Sequence, residues 1–253
     1  MTGPVSGAAV RPVVVWAVPR SRSTALARVM IERGDLEVVH EPFSYLAAQG
    51  VYQLAGRELR SAREILDVLL EQASAGRRFF VKETTDYRYD DLLADERFAA
   101  DLTHAFMIRH PADAIASHHA MNSRLTSSEA GFAYLAEILD QVRAGTGRTP
   151  IVIDGDDLVA EPDAMVEAFC RAVGLPHVPE ALTWQPGGQP VWEQTAAWHR
   201  DVEQSTGLSP RRRTYDVDAA TATRLQQLVD EQMPHYDRLA GYRLRTSVGG
   251  AQR

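Results

Sequence analysis

The chain has 253 residues, a formal net charge of −7, 45% hydrophobic residues and one cysteine. That length suits one large α/β domain, the hydrophobic fraction excludes wholesale disorder, and the acidic balance argues against a general nucleic-acid binder. Cys170 allows no internal disulfide and, among Val166, Phe169 and Val173, reads as a buried core thiol; without a leader-like segment or an apolar run long enough to span a bilayer, a soluble cytoplasmic protein with no membrane association is expected.

Pro12–Val18 is a continuous β-branched run, the signature of a strand covered on both faces. A polar turn follows, and Ser23–Arg33 has helical spacing through Leu26, Val29 and Met30 until Gly34 stops it. Leu36–His40 reads as a second strand, Ser61–Ala75 as a helix with Ile65, Leu66, Leu69 and Leu70 on one side, and Arg78–Lys82 as a third strand. Thr103–Ile108 is a fourth strand, Pro111–Met121 a helix opening on proline, Glu129–Arg143 a further helix and Pro150–Asp154 a fifth strand. Asp163–Val173 is a helix closed by Gly174 and Pro176, with Asp154, Asp156 and Asp157 before it reading as caps. Residues 176–215 carry Pro, Gly and Trp and read as an irregular excursion over the sheet. Asp218–Ala240 is a long terminal helix that Pro234 should kink or divide.

Strands separated by helices predict a three-layer α/β/α domain with a mostly parallel central sheet over residues 11–245, with frayed ends at 1–10 and 246–253. Ligands of such sheets sit beyond the carboxyl ends of the strands. Arg20, His40-Glu41, Lys82-Glu83 and Arg109-His110 should therefore gather along one edge.

The junction Val18-Pro19-Arg20-Ser21-Arg22-Ser23-Thr24 offers backbone N–H groups, the positive end of a helix dipole, two hydroxyls (Ser23 and Thr24) and a fixed cation, Arg20. Together these suit a phosphate or sulfate. The pattern G-x-x-x-x-G-K-[ST] is missing, so the Lys–Mg²⁺ reading for ATP or GTP lacks its key residues. Downstream, Arg109 ends a strand and Ser117 lies eight residues on. A guanidinium grips a phosphate through two parallel hydrogen bonds, and a serine hydroxyl adds a third.

The chain resembles the sulfotransferases that use 3′-phosphoadenosine 5′-phosphosulfate (PAPS). Pro19-Arg20-Ser21-Arg22-Ser23-Thr24-Ala25-Leu26 matches their first motif, P-[KR]-S-G-T-T-x-L, with Arg22 in place of glycine. Arg109-His110-Pro111-Ala112-Asp113-Ala114-Ile115-Ala116-Ser117 matches their second, R-[DN]-P-x-D-x-x-x-S, with His110 in place of Asp or Asn. His40-Glu41-Pro42-Phe43 is similar to bacterial members of that family. The resemblance implies a P-loop NTPase-like sulfotransferase fold and PAPS as co-substrate, with no metal. The loop formed by Arg20, Ser21, Arg22, Ser23, Thr24 and Ala25 would hold the 5′-phosphosulfate. Arg20 would stabilise charge as the sulfuryl group departs, and Arg109 and Ser117 would bind the 3′-phosphate. A basic loop often covers that phosphate in the family, which points to Arg211 and Arg212 of the cluster Arg211-Arg212-Arg213. The same cluster also reads as a solvated basic turn.

The acceptor, a small molecule with a hydroxyl or amine, must lose a proton. Glu41 is the first candidate for the base, His40 the second and Glu83 the third. Lys82 would assist at the sulfuryl oxygens, or Glu83 and Lys82 form a structural ion pair. The segment Trp192–Val202 lines the acceptor pocket or anchors packing. His118-His119 lacks the carboxylate or cysteine set of a metal site. Two rival readings stand beside this one: an ATP-dependent kinase-like enzyme, and a non-catalytic nucleotide-binding protein of the same fold.

Overall fold

The computed structural model describes residues 11–210 and 213–246. The expected loose ends at 1–10 and 247–253, and Arg211 and Arg212, lie outside the described residues. Thr246, counted with the loose end, hydrogen-bonds Glu161. In chain order the elements are β1 (Val13–Ala17), α1 (Ser23–Glu32), β2 (Glu37–His40), α2 (Pro42–Gln49), β3 (Tyr52–Leu54), β4 (Arg57–Leu59), α3 (Ala62–Ser74) and β5 (Phe79–Thr84). They continue with α4 (Asp90–Leu93), α5 (Glu96–Asp101), β6 (Thr103–Ile108), α6 (Pro111–His119), α7 (Phe132–Thr146), β7 (Ile151–Asp154), α8 (Gly155–Ala160) and α9 (Pro162–Val173). Two 3₁₀ segments, Pro179–Leu182 and Pro190–Trp198, lead through α10 (Arg200–Glu203) to α11 (Ala219–Ala240).

Five strands form one sheet in the order β2-β5-β1-β6-β7, and each neighbouring pair is parallel. β1 is central because each of its side chains has a buried face to enter. Val14, Trp16 and Val18 join the apolar cluster packed by α3, α6, α7 and α11, whereas Val13, Val15 and Ala17 join the cluster packed by α1 and α9. Period-two alternation along a strand covered on both sides produces this division. β1 leads into α1 on one face of the sheet, whereas its neighbours β5 and β6 lead into α4 and α6 on the other, so the loops diverge and open a crevice at the carboxyl edge near β1. Cys170 is buried in the α1/α9 layer.

Several elements differ from expectation. Pro234 does not divide α11, which is one helix from Ala219 to Ala240. A proline removes a single N–H from the ladder, and Leu228, Val229, Gln232 and Leu239 are buried on both sides of it, against α6 and α7. β5 extends through Glu83 to Thr84, so Lys82 and Glu83 are strand residues with opposite facings. The helix expected from Glu129 begins at Phe132, after a left-handed Gly131. Helix α2 and the hairpin of β3 with β4 were not expected at all. Asp154 caps α8, its carboxylate accepting from the Asp156 N–H at 2.9 Å.

The core carries one acid-sensitive device. Trp16 Nε1 donates to His104 Nδ1 at 3.0 Å, and His104 Nε2 lies 2.7 Å from the Phe98 carbonyl oxygen, so the ring is neutral with its hydrogen on Nε2. Burial pushes its pKa down to about 4. An unfolded imidazole titrates near ~6.5. Between these values the unfolded chain binds a proton that the folded chain does not, so stability falls as pH drops from about 6.5 to about 4. Denaturant unfolding across that range should show the loss, with a shallower slope for His104→Gln. Equal slopes would contradict the assignment.

Candidate active site

Beyond the carboxyl edge of the sheet lies a cavity of about 360 Å³. Its floor is the turn between β1 and α1. Arg20 (φ 64°) and Arg22 (φ 72°) both adopt left-handed backbone conformations, each costing on the order of 1–2 kcal/mol for a residue with a Cβ. Glycine is the usual occupant at the second of these positions in the motif, for this reason. The side chain of Arg22, at the N-cap of α1, makes no capping hydrogen bond, and the N–H groups of Ser23 and Thr24 in its first turn have no intrahelical acceptor. Arg20, Arg22, Ser23, Thr24 and Ala25 line the cavity. Ser21 faces inward and is fully buried, and its hydroxyl has no hydrogen-bond partner among the described residues.

The two sequence motifs meet. Arg20 Nε donates to Ser117 Oγ of α6 at 3.0 Å. Arg109, buried at the end of β6, reaches the Arg20 carbonyl oxygen at 3.5 Å through Nη1. Asp156 lies 2.9 Å from Arg22 Nη2 and 3.4 Å from Arg109 Nε, joining two guanidiniums of like charge. Burial lowers the pKa of Arg20 and of Arg22. His110 lies apart from the cavity lining, capping α6 and packing its ring on Tyr236.

Across the cavity from the β1 turn, Glu41 precedes α2 with φ 48°, a third non-glycine residue in the left-handed region. Its N–H donates to the Lys82 carbonyl at 2.6 Å, and its carboxylate pairs with Lys82 Nζ. Both residues line the cavity. His40 does not; it is buried between Trp192 and His199, and burial together with the charge of Lys82 lowers its pKa well below the ordinary value. Glu83 is also buried away from the cavity. Its carboxylate accepts from the N–H groups of Phe43 at 2.7 Å and Thr84 at 2.8 Å, and from Ser44 Oγ at 2.6 Å. It thus caps α2 from the neighbouring strand. Burial, reinforced by Glu41, pushes its pKa up to about 8. The ion pair considered for Lys82 and Glu83 is not formed, because adjacent strand residues face opposite sides of the sheet; the partner of Lys82 is Glu41.

The segment after α9 closes the site. Trp198 accepts from Arg20 Nη1 through its carbonyl at 2.8 Å, and its ring centroid is 5.9 Å from the same guanidinium. His199 contacts Thr24. Trp192 is fully buried behind them as a packing anchor. Arg213 lines the cavity and pairs with Asp201.

A family model described as a sulfotransferase domain matches residues 11–242. The chain belongs to the sulfotransferase-domain family. Two curated relatives from Arabidopsis thaliana, branched-chain-amino-acid aminotransferase-like proteins 1 and 2, are 28% and 27% identical over 205 residues. The match covers 77% of this chain but 36% and 35% of theirs, so the chain spans about a third of the length of these curated relatives. Among solved structures, the sulfotransferase domain from the Synechococcus PCC 7002 olefin synthase is 14% identical with a TM-score of 0.48, covering 90% of this chain and 96% of that one. The sulfotransferase domain from the curacin biosynthetic pathway is 13% identical with a TM-score of 0.42, covering 87% and 97%.

The sequence places stretches 44–60 and 84–100 around the acceptor pocket of this sulfotransferase-domain chain, and Tyr45, Asp86 and Tyr87 from them do line the cavity, though none was singled out; His118 lines it as well and was given no role. They come from α2, the loop after β5 and α6, and share no local pattern. His118 directly follows Ser117 of the second motif, its ring against Trp198, and burial pushes its pKa down to about 4. Gly155 was missed too. A Cβ there would collide with the Ser21 carbonyl oxygen, so the glycine lets α8 approach the turn between β1 and α1. Gly155→Ala is expected to cost on the order of 1–3 kcal/mol by overpacking and to weaken anion binding by displacing the turn. Unchanged denaturation midpoint and unchanged anion affinity would show that the turn does not depend on this contact.

Proposed function

We propose that the chain transfers a sulfuryl group from PAPS to a hydroxyl or amine of a small-molecule acceptor, releasing 3′-phosphoadenosine 5′-phosphate (PAP). One observation carries the reading: the N-terminus of α1, which its own N-cap side chain leaves uncapped, with its two hydroxyls shares one cavity with the Arg109/Ser117 pair, linked through Arg20. These are two anion cradles, as a nucleotide phosphorylated at both ends requires. The donor set fits such a substrate, since Arg20, Arg22 and Arg109 supply fixed cations and the first turn of α1 supplies N–H donors.

In the transfer, a lone pair of the acceptor oxygen or nitrogen forms the new bond to sulfur. The bond from sulfur to the bridging oxygen breaks, and its electron pair leaves with the 5′-phosphate. Arg20 stabilises the charge gathering there, so the protein's work is mainly in-line positioning and charge stabilisation. Glu41 takes the acceptor's proton; it is the carboxylate of the three candidate bases that lines the cavity. Lys82, paired with it, faces the same space and is available to the sulfuryl oxygens.

The kinase-like rival is disfavoured by the residues themselves, for Arg20-Ser21-Arg22-Ser23-Thr24 lacks the Gly-Lys pair. Calorimetry tests the choice. PAP should bind tightly in the presence of a chelator and AMP much more weakly. Preference for ATP with Mg²⁺ over PAP would refute the proposal. Binding of PAP with no transfer of labelled sulfuryl to a panel of hydroxyl and amine acceptors would favour the non-catalytic reading.

A further inference from the structure

His199 lines the cavity and has no role in the transfer proposed above, yet it touches both halves of the site. Its Nδ1 lies 3.2 Å from Thr24 Oγ1 in the first turn of α1. Its Nε2 lies 3.3 Å from His40 Nε2 and 3.1 Å from Thr195 Oγ1. His40 Nε2 in turn lies 3.5 Å from Glu41 Oε1. A line of polar atoms therefore runs from the carboxylate on one wall to the anion turn on the other.

Each contact in that line needs one hydrogen. Burial pushes the pKa of His199 down to about 3, and that of His40 also falls well below the ordinary value, so both rings are neutral and each carries a single N–H. With the 3.3 Å contact between the two Nε2 atoms made as a hydrogen bond, two arrangements follow. In the first, His40 Nε2–H donates to His199 Nε2, and His199 Nδ1–H donates to Thr24 Oγ1. In the second every hydrogen is reversed, Thr24 donates to His199, and the His40 hydrogen sits on Nδ1.

Two observations select the first. His40 Nδ1 is buried with no hydrogen-bond partner among the described residues, and a stranded buried N–H is rarer in folded proteins than an unused lone pair. The second arrangement would also turn the lone pair of His40 Nε2 towards the Glu41 carboxylate, whereas the first turns an N–H to it. Thr195 accommodates either, because its hydroxyl rotates and also contacts Tyr45 and the Trp192 carbonyl.

We propose that His199 is a positioning residue: it donates from Nδ1 to Thr24 Oγ1 and thereby directs the Thr24 hydroxyl hydrogen into the cavity, as a donor to an oxyanion at the start of α1. The role of the oxyanion rests on the nucleotide reading of that turn; the direction of the hydrogen does not. A hydroxyl committed to donation favours a bare phosphate or sulfate oxygen and disfavours any ligand group that presents its own N–H. Trp198, one residue earlier, orients Arg20 in the same manner through its carbonyl. Two consecutive residues, about 175 positions from the turn, thus set both the cation and the hydroxyl of the anion site.

Nitrogen-15 spectra of the ligand-free, histidine-labelled protein, assigned with His40→Asn and His199→Asn, read the hydrogens directly. The expected result is an Nδ1–H tautomer for His199 and an Nε2–H tautomer for His40; an Nε2–H tautomer for His199, whichever His40 shows, overturns the proposal whether or not any nucleotide binds. Calorimetry with PAP supplies the functional arm. His199→Ala should weaken PAP about tenfold, the scale of one lost charge-assisted hydrogen bond. His199→Asn, whose amide nitrogen can occupy the Nδ1 position, should recover affinity to within about threefold of the unsubstituted protein. In a Thr24→Val background, His199→Ala should cost nothing further; an equal loss there would mean that His199 acts on the fold and not on Thr24. If the unsubstituted protein does not bind PAP, the nucleotide reading fails, and the tautomer spectrum alone still decides the direction of the hydrogen.

Discussion

Replacing Glu41 with glutamine is expected to leave PAP affinity unchanged while slowing sulfuryl transfer by about 10²-fold or more, the usual scale for loss of a general base. Glutamine keeps the shape of the side chain and tolerates the left-handed backbone no worse than glutamate does, so helix α2 should hold its place. Its first turn is in any case capped from β5 by Glu83, not by the residue at position 41. The substitution removes a basic oxygen and leaves Lys82 without its carboxylate. Lys82→Met, with Glu41 intact, separates those two effects. Single-turnover transfer measured with pre-bound donor reads the chemical step alone. Normal turnover in Glu41→Gln would remove this residue as the base; His40 and Glu83 are both buried outside the cavity lining, so the proton would then need another route.

Replacing Arg109 with alanine should abolish most of the preference for PAP over AMP. A hydrogen bond to a charged partner contributes roughly 1.5–3 kcal/mol, and a bidentate guanidinium adds geometric fit. PAP should therefore bind about 10- to 10²-fold more weakly, with AMP nearly unaffected. Lysine at this position should recover charge but not the paired geometry, giving an intermediate preference. Asp156 keeps Arg22 as a partner when Arg109 is removed, so the turn should survive and the measurement should report on recognition. Retained discrimination in Arg109→Ala would refute the role.

The central sheet was legible because its signals are local. Val13 to Ala17 form an unbroken apolar strand, and the helices between strands force parallel crossovers whichever partners they pack on. The shared edge for Arg20, Glu41, Lys82 and Arg109 follows from that topology: parallel strands point their carboxyl ends one way. Helix α2 was missed because no residue of its own caps it; the carboxylate that does so comes from β5, about 40 positions later. The irregular 176–215 stretch was recognised as such, but nothing local shows that His199 lands on Thr24.

Residue pattern alone determined the strand–turn–helix junction, the second arginine motif, and the family to which the chain belongs. Tertiary structure decided which neighbouring groups face the cavity: Glu41 and Lys82 do, His40 and Glu83 do not. The physical reason is that a side chain's direction depends on one backbone angle or one step along a pleated strand. Whether it meets solvent or a buried partner depends on segments that composition and periodicity cannot align.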